Sequence, residues 1–193
     1  MERVTIELTP GRDAATAWKG INWPARERLV RRIQERIFRA TQRGQWKVVK
    51  NLQKLLARSE SAKLLAIRRV TQENTGKTTP GIDGKVYLTP EARWKWSQEE
   101  KFCLKGYHPL PAKRGYVLKP SGGKRPLGIP VMKDRAMEAI VKMSLEPEFE
   151  VKFEPNSYRF RPGFARAVPA GTPSSRSGIA SRGRKGGKVA RLF

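Results

Sequence analysis

The sequence predicts an α+β protein in which several helices precede a β-hairpin and one further helix. Apolar residues recur every three to four positions through the first half of the 193-residue chain, which is the period of helices with one buried face. In the second half, two short runs typical of strands flank a glycine-containing turn. The length suits one ordinary domain with a hydrophobic core, or one domain with extensions.

The composition favours a polyanionic partner. Lys and Arg number 41 against 17 Asp and Glu, which gives a net charge of +24. Nucleic acid is the commonest partner of so basic a chain. An anionic membrane surface is the weaker alternative, because no segment is apolar enough to span a bilayer, and a solvated cationic surface without a specific partner is the third.

Cysteine and histidine usage excludes two classes of site. Cys103 is the only cysteine and His108 the only histidine, which rules out a disulfide framework and a Cys/His zinc site. The first ten residues lack the apolar stretch of a signal peptide. A reducing, cytoplasmic location is therefore expected.

Three helices are predicted after a loose leader over residues 1–22. The first begins at Trp23 with Pro24 in its first turn and ends at Gly44. The second covers about residues 45–57, and the third follows the "RSESA" break. Their predicted buried faces are Leu29, Val30, Ile33, Ile37 and Phe38 in the first helix, Trp46, Val49, Leu52, Leu55 and Leu56 in the second, and Leu64, Leu65, Ile67 and Val70 in the third.

The elements that follow are marked by turn and cap residues. The segment "TQENTGKTTPGIDGKVY" (71–87) is rich in Thr, Gly, Asn and Pro, which predicts a structured loop. Thr89 and Pro90 are typical N-cap and N1 residues of a fourth helix. "GYVLK" and "RPLGIPV" read as two strands joined by "PSGGK". Asp134 is predicted to cap the last helix, whose apolar face is Met137, Ile140, Val141 and Leu145.

The turn of this hairpin is strongly positive. Lys119, Lys124 and Arg125 surround it, so charge and exposed backbone N–H groups occur together. That combination suits a phosphate chain or a triphosphate. A solvated turn with no ligand is the alternative reading of these residues.

Several long motifs carry a family resemblance. "SAKLLAIRRVTQENTGKTTPGIDG", "YVLKPSGGKRPLGIPVMKDRAMEAIVKMSLEPEFEVKFEPNSYRFRPG" and the arginine-rich helix before them resemble the N-terminal part of bacterial group II intron-encoded reverse transcriptase–maturases, over about residues 20–163. The resemblance implies a helical N-terminal extension over 23–110 and partial fingers of a right-hand polymerase over 111–163. Arg159 stands where the family's Asn-Ser-Tyr-Gly-Phe-Arg-Pro-Gly motif has glycine, which puts the local backbone geometry in doubt.

The resemblance also implies roles for individual cations. Lys119 and Arg125 would clamp the triphosphate of an incoming nucleotide. The extension would contact template or intron RNA, and a full-length reverse transcriptase relative is a second expected partner. The expected RNA-binding residues are Arg28, Arg31, Arg32, Arg36, Arg68, Arg69, Lys77, Lys124 and Lys133.

The metal-binding carboxylates of the family are not matched in this sequence. A polymerase of this kind holds two Mg²⁺ ions on Asp side chains, which in the family follow the Arg-Pro-Gly motif and form a Tyr-Ala-Asp-Asp turn. Here the three aspartates are Asp13, Asp83 and Asp134. We therefore expect no catalytic or metal-binding residue and no cofactor in this chain, with Mg²⁺ needed only by a full-length relative.

Three hypotheses of function follow. The leading one is a truncated reverse transcriptase–maturase that lacks the catalytic palm, binds RNA through phosphates and is inactive as a polymerase alone. The second is a stand-alone RNA-binding module that assists intron RNA folding or splicing. The third is an intact enzyme that uses metal ligands outside the family's pattern.

The last thirty residues differ from the rest in composition. Residues 164–193 contain seven cations and no acid, and are rich in Arg, Gly, Ala and Ser. This composition predicts a disordered tail. Two origins remain open: a basic tail that binds RNA phosphates without order, or a product of translation in a shifted frame, which is the favoured hypothesis.

Overall fold

The computed structural model describes residues 12–100 and 102–153, with side-chain environments from residue 14 onward. The architecture is α+β, as predicted: six α-helices and one two-stranded antiparallel sheet lie in these residues. The elements are α1 (Arg12–Lys19), α2 (Trp23–Gln42), α3 (Trp46–Ala57), α4 (Glu60–Arg68), α5 (Pro90–Glu99), β1 (Lys113–Leu118), β2 (Lys124–Ile129) and α6 (Met132–Lys152). The predicted tail over 164–193 lies outside the described residues.

The predicted bounds of α2 are confirmed. The Asn22 side chain accepts a hydrogen bond of 3.0 Å from the N–H of Ala25, and Pro24 occupies the first turn. The helix ends just before Gly44, whose φ of 67° suits a residue without Cβ. Its apolar stripe includes Ile33 and Ile37, as expected.

Helices α2, α3 and α4 bury one cluster of apolar side chains. Ile37 and Leu56 are fully inaccessible to solvent at its centre. The prediction that Leu29, Trp46 and Leu55 are buried is wrong, since they are 45%, 48% and 52% exposed. Because α3 packs on one side only, its buried face is a narrow stripe of residues three and four positions apart.

A second cluster joins α1, α4, α5 and α6. Its members include Trp18, Ile67, Trp96 and Met132. Trp18 is only 2% exposed and meets Trp23 edge to face, with 5.1 Å between ring centroids. The expectation of a loose leader is therefore wrong for residues 12–22, because a buried tryptophan anchors that segment to the core.

The predicted hairpin is confirmed. Lys113 pairs with Ile129 and Leu118 with Lys124 in an antiparallel register. The N–H of Gly122 donates to the carbonyl of Lys119 at 3.0 Å, and the N–H of Lys119 donates to the carbonyl of Gly123 at 2.7 Å. Gly122 has a φ of 82°, as a three-residue hairpin loop with a glycine bulge requires.

The start of α6 differs from the prediction. The helix begins at Met132, so Asp134 lies inside its first turn rather than at the cap. Asp134 is buried, 4% exposed, and accepts a hydrogen bond from the hydroxyl of Tyr107. Further along, Met137 and Ile140 are buried as expected, whereas Leu145 is exposed.

The Tyr107–Asp134 hydrogen bond should make the stability of the fold depend on pH. Burial, and then the hydrogen bond to Asp134, raises the pKa of Tyr107 above its ordinary value. A raised folded-state pKa adds stability that is complete below the unfolded-state pKa of about 10 and is lost as pH rises through the folded-state pKa. At neutral pH, the free energy of unfolding of Tyr107→Phe should therefore be about 1–3 kcal/mol lower than that of the wild type. Above pH 10, the free energy of unfolding should fall less in Tyr107→Phe than in the wild type.

Urea unfolding at several pH values measures this difference. Tyr116→Phe is the matched control, because Tyr116 lies on the hairpin and is 63% exposed. Equal neutral-pH stability of Tyr107→Phe and Tyr116→Phe would contradict the structural role of the contact.

Candidate nucleic-acid interface

The outer face of α2 presents a row of arginines. Arg28, Arg32 and Arg36 recur every four residues, opposite the buried Val30, Ile33 and Ile37. At about 1.5 Å rise per residue, the row from Arg28 to Arg36 is about 12 Å long. Arg31 lies beside it and is also exposed. We call Arg28, Arg31, Arg32 and Arg36 the arginine face.

The four side chains of the arginine face remain available. Within the described ranges, none of them forms an ion pair or a side-chain hydrogen bond, whereas their neighbour Arg39 meets Glu35 at 3.4 Å. Helix α3, which packs on α2, adds three exposed lysines that are not among the expected RNA-binding residues: Lys47, Lys50 and Lys54. Their position on the polar side of a helix with an apolar stripe was the signal that could have identified them.

Arg68 is engaged within the protein. Its guanidinium contacts Glu27 at 3.1 Å and Glu73 at 2.9 Å, and lies 4.9 Å from the ring centroid of Trp23. These contacts join α2 to the end of α4, so this expected RNA-binding residue holds two helices together.

Other expected RNA-binding residues differ in the contacts that their side chains make within the protein. Lys133 meets Glu100 at 2.6 Å and lies over the Tyr107 ring. Lys77 is exposed and donates to the carbonyl of Gln72 at 3.1 Å. Arg69 is exposed, and its side chain has no ion pair in the part of the chain that the structure describes.

The cations of the hairpin turn are all exposed. Lys119 begins the turn, while Lys124 and Arg125 open β2 opposite Leu118 and Val117. Neighbouring residues of a strand point to opposite faces. The cations of Lys124 and Arg125 therefore project from different faces of the hairpin.

The loop over residues 71–87 is structured, as predicted, although it starts inside a π turn (Arg69–Glu73) and includes a 3-10 turn (Thr75–Thr78). Arg135 of α6 holds its middle: the guanidinium donates to the carbonyls of Gly76 at 2.9 Å and Thr79 at 2.7 Å, and to Pro130 at 2.9 Å. These hydrogen bonds hold the loop against the start of α6.

Arg93 of α5 holds both ends of the same loop. It is 8% exposed and donates to the carbonyls of Thr71 at 3.2 Å, Tyr87 at 3.2 Å and Leu88 at 2.7 Å. Its burial lowers the pKa of the guanidinium below the ordinary value. The Tyr87 ring stacks on Trp96, with centroids 4.2 Å apart.

Carboxylates are dispersed in this region. In residues 12–100 and 102–153, no three His, Cys, Asp or Glu side chains form a group that could hold a metal ion. Asp83 accepts a hydrogen bond of 3.3 Å from the N–H of Lys85 in the loop, while Asp134 faces Tyr107. No helix of the described ranges is both long and apolar enough to cross a bilayer.

A family model supports the class of protein that these features define. The model for the N-terminal domain of reverse transcriptase matches residues 18–99, which include helices α2–α5 and the loop over residues 71–87. This part of the chain is therefore a reverse transcriptase N-terminal domain.

Three curated relatives are similar to parts of this chain, and the names of two refer to maturases or group II introns. Group II intron-encoded protein LtrA of Lactococcus lactis subsp. cremoris is 42% identical over 57 residues, or 29% of this chain and 10% of LtrA. Maturase-like protein 1 of Euglena gracilis is 30% identical over 139 residues, or 72% of this chain and 30% of the relative. Protein YkfC of Escherichia coli strain K12 is 38% identical over 97 residues, or 49% and 26%.

The chain corresponds to the N-terminal region of a group II intron reverse transcriptase–maturase, which confirms the resemblance drawn from its motifs. It spans less than a third of the length of each of these three relatives.

Proposed function

We propose that this chain binds RNA through phosphates, and that the RNA is group II intron RNA or a template. The observation that carries the proposal is the arginine face, where four exposed arginines on one side of α2 have no acidic partner among the described residues. Their spacing along about 12 Å of helix matches a run of backbone phosphates better than a single small anion. The printed name of LtrA supplies the link to group II introns.

The hairpin has a second role in this proposal. Lys119 and Arg125 hold the triphosphate of a nucleotide when the rest of a polymerase is present, and Mg²⁺ is held by that rest. A reducing, cytoplasmic setting is part of the proposal and rests on the single cysteine of the sequence.

Polymerisation is not expected of these 193 residues by themselves. The two-metal reaction requires paired carboxylates, and Asp83 and Asp134 have separate surroundings. Primer extension on an RNA template with Mg²⁺ measures this directly. Detectable incorporation of nucleotides would contradict the proposal and support an intact enzyme.

RNA binding should depend on the arginine face more than on charge alone. Arg28→Gln together with Arg36→Gln should weaken binding of an intron RNA about tenfold near physiological salt, and should reduce the slope of log K against log salt by about 1.4–1.8. The reason is the loss of two phosphate contacts and the counterions that they release. Fluorescence anisotropy across a salt series measures both quantities.

The control has the same change of charge elsewhere. Lys95→Gln together with Lys105→Gln removes two exposed cations that lie outside α2. An equal loss of affinity in both double variants would show that only net charge matters and would reject the arginine face as the contact surface.

A stand-alone RNA-binding module is the second candidate. The apolar clusters that join α1 to α6 favour it, because a core of this kind can support folding of an independent domain. This candidate expects cooperative unfolding and a preference for intron RNA over a random duplex of equal length. Equal affinity for both RNAs would contradict it and leave the leading proposal.

A further inference from the structure

A cleft lies between the π turn after α4 and the exposed side of α6. Its volume is about 360 Å³, which falls in the range of small-ligand sites. The polar lining residues are Arg69, Asn74, Arg135, Glu138 and Lys142. A π turn widens a helix locally and occurs often at functional sites, and here it brings Arg69 to the wall of the cleft.

The lining has an excess of positive charge. Three cations face one carboxylate, that of Glu138. Arg69 and Lys142 are exposed, and their side chains have no ion pair or hydrogen bond among the residues that the structure describes. Arg135 uses three of its N–H groups on backbone carbonyls, and its other donors remain. Two exposed cations therefore line the cleft beside a third that three hydrogen bonds hold in place.

We propose that this cleft holds a backbone phosphate of the bound RNA, in addition to the phosphates on the arginine face. The inference rests on the proposed function. A phosphate satisfies the unpaired cations and the amide of Asn74 together, since its oxygens accept several charge-assisted hydrogen bonds. Glu138 opposes an anion, so it limits the affinity of the cleft.

The test measures RNA affinity of the full 193-residue chain and single variants of the lining. Arg69→Gln and Lys142→Gln should each weaken binding of a 5′-hydroxyl RNA stem-loop about fivefold and reduce the salt slope by about 0.7–0.9. Lys105→Gln, an exposed lysine outside the cleft, is the matched control and should change neither quantity. Thermal unfolding of each variant confirms that the fold is intact.

Glu138→Gln should change RNA affinity in the opposite direction. Removing the carboxylate from the wall should tighten RNA binding about threefold, because a phosphate in the cleft is no longer repelled. Glu99→Gln, another exposed acid outside the cleft, should leave affinity unchanged. A general effect of charge predicts equal gains for both variants and would overturn the inference.

Failure of the cleft inference can be distinguished from failure of the proposed function. If wild-type chain binds RNA but the cleft variants behave like Lys105→Gln, the cleft inference fails and the proposed function stands. If wild-type chain binds no RNA, both fail. Inorganic phosphate at constant ionic strength should lower the RNA affinity of the wild type toward that of Lys142→Gln, because it competes with the RNA phosphate for the cleft. Unchanged affinity in saturating phosphate would contradict the inference.

Discussion

Gly81→Ala is expected to lower the free energy of unfolding by about 3 kcal/mol, at the upper end of the usual cost of overpacking. A Cβ atom at position 81 would lie 2.6 Å from Cα and 2.8 Å from the backbone N of Val131. Val131 is 2% exposed and joins the hairpin to α6. Backbone rather than a flexible side chain must therefore move, and urea unfolding measures the cost.

Gly76→Ala is the matched control in the same loop. Its added Cβ would meet only the Nη1 atom of Arg135, at the ordinary contact distance of 3.8 Å, so a change below about 1 kcal/mol is expected. Wild-type stability of Gly81→Ala would show that the loop does not lie against Val131 in solution.

Arg93→Met is expected to destabilise the fold by about 3 kcal/mol, since three carbonyls lose their donor and each unsatisfied buried group costs about 1–3 kcal/mol. Methionine keeps the length of the apolar stem, so the variant removes mainly the hydrogen bonds to Thr71, Tyr87 and Leu88. Loss of these bonds should also expose the loop to protease. Urea unfolding and limited proteolysis give the two readouts.

Lys95→Met, on the same helix, controls for loss of a cation. The Lys95 side chain is 73% exposed and meets Glu99 at 3.7 Å, so its removal should change stability by less than about 0.5 kcal/mol. If Arg93→Met and Lys95→Met have equal midpoints of urea unfolding and equal protease resistance, Arg93 is not the residue that holds the loop.

Local signals predicted the secondary structure well. The cap residues Thr89 and Pro90 begin α5 as expected, with the Thr89 hydroxyl accepting from the N–H of Ala92 at 3.2 Å. The glycine-rich turn forms the hairpin, and Trp23 begins α2. These elements were predictable because caps, turns and apolar periods act within a few residues.

Burial was predicted less well where a helix has neighbours on one side only. Trp46 and Leu55 continue the apolar period of α3 and yet are exposed, while Trp18 is buried although its segment shows little periodicity. Asp134 looks like a cap in the sequence, but it is buried against Tyr107. Packing partners from other elements decide these cases.

The sequence by itself determined the α+β class, the order of the elements from α2 onward, the excess of positive charge and the family. Each of these depends on composition or on motifs that are contiguous in the chain. Only the tertiary structure decided which cations remain available for phosphates. Arg68 meets Glu27 across 41 residues and Arg135 meets Gly76 across 59, whereas the arginine face meets no acid among the described residues. A cation is bound internally or left for a ligand according to the carbonyls and carboxylates that folding brings to it.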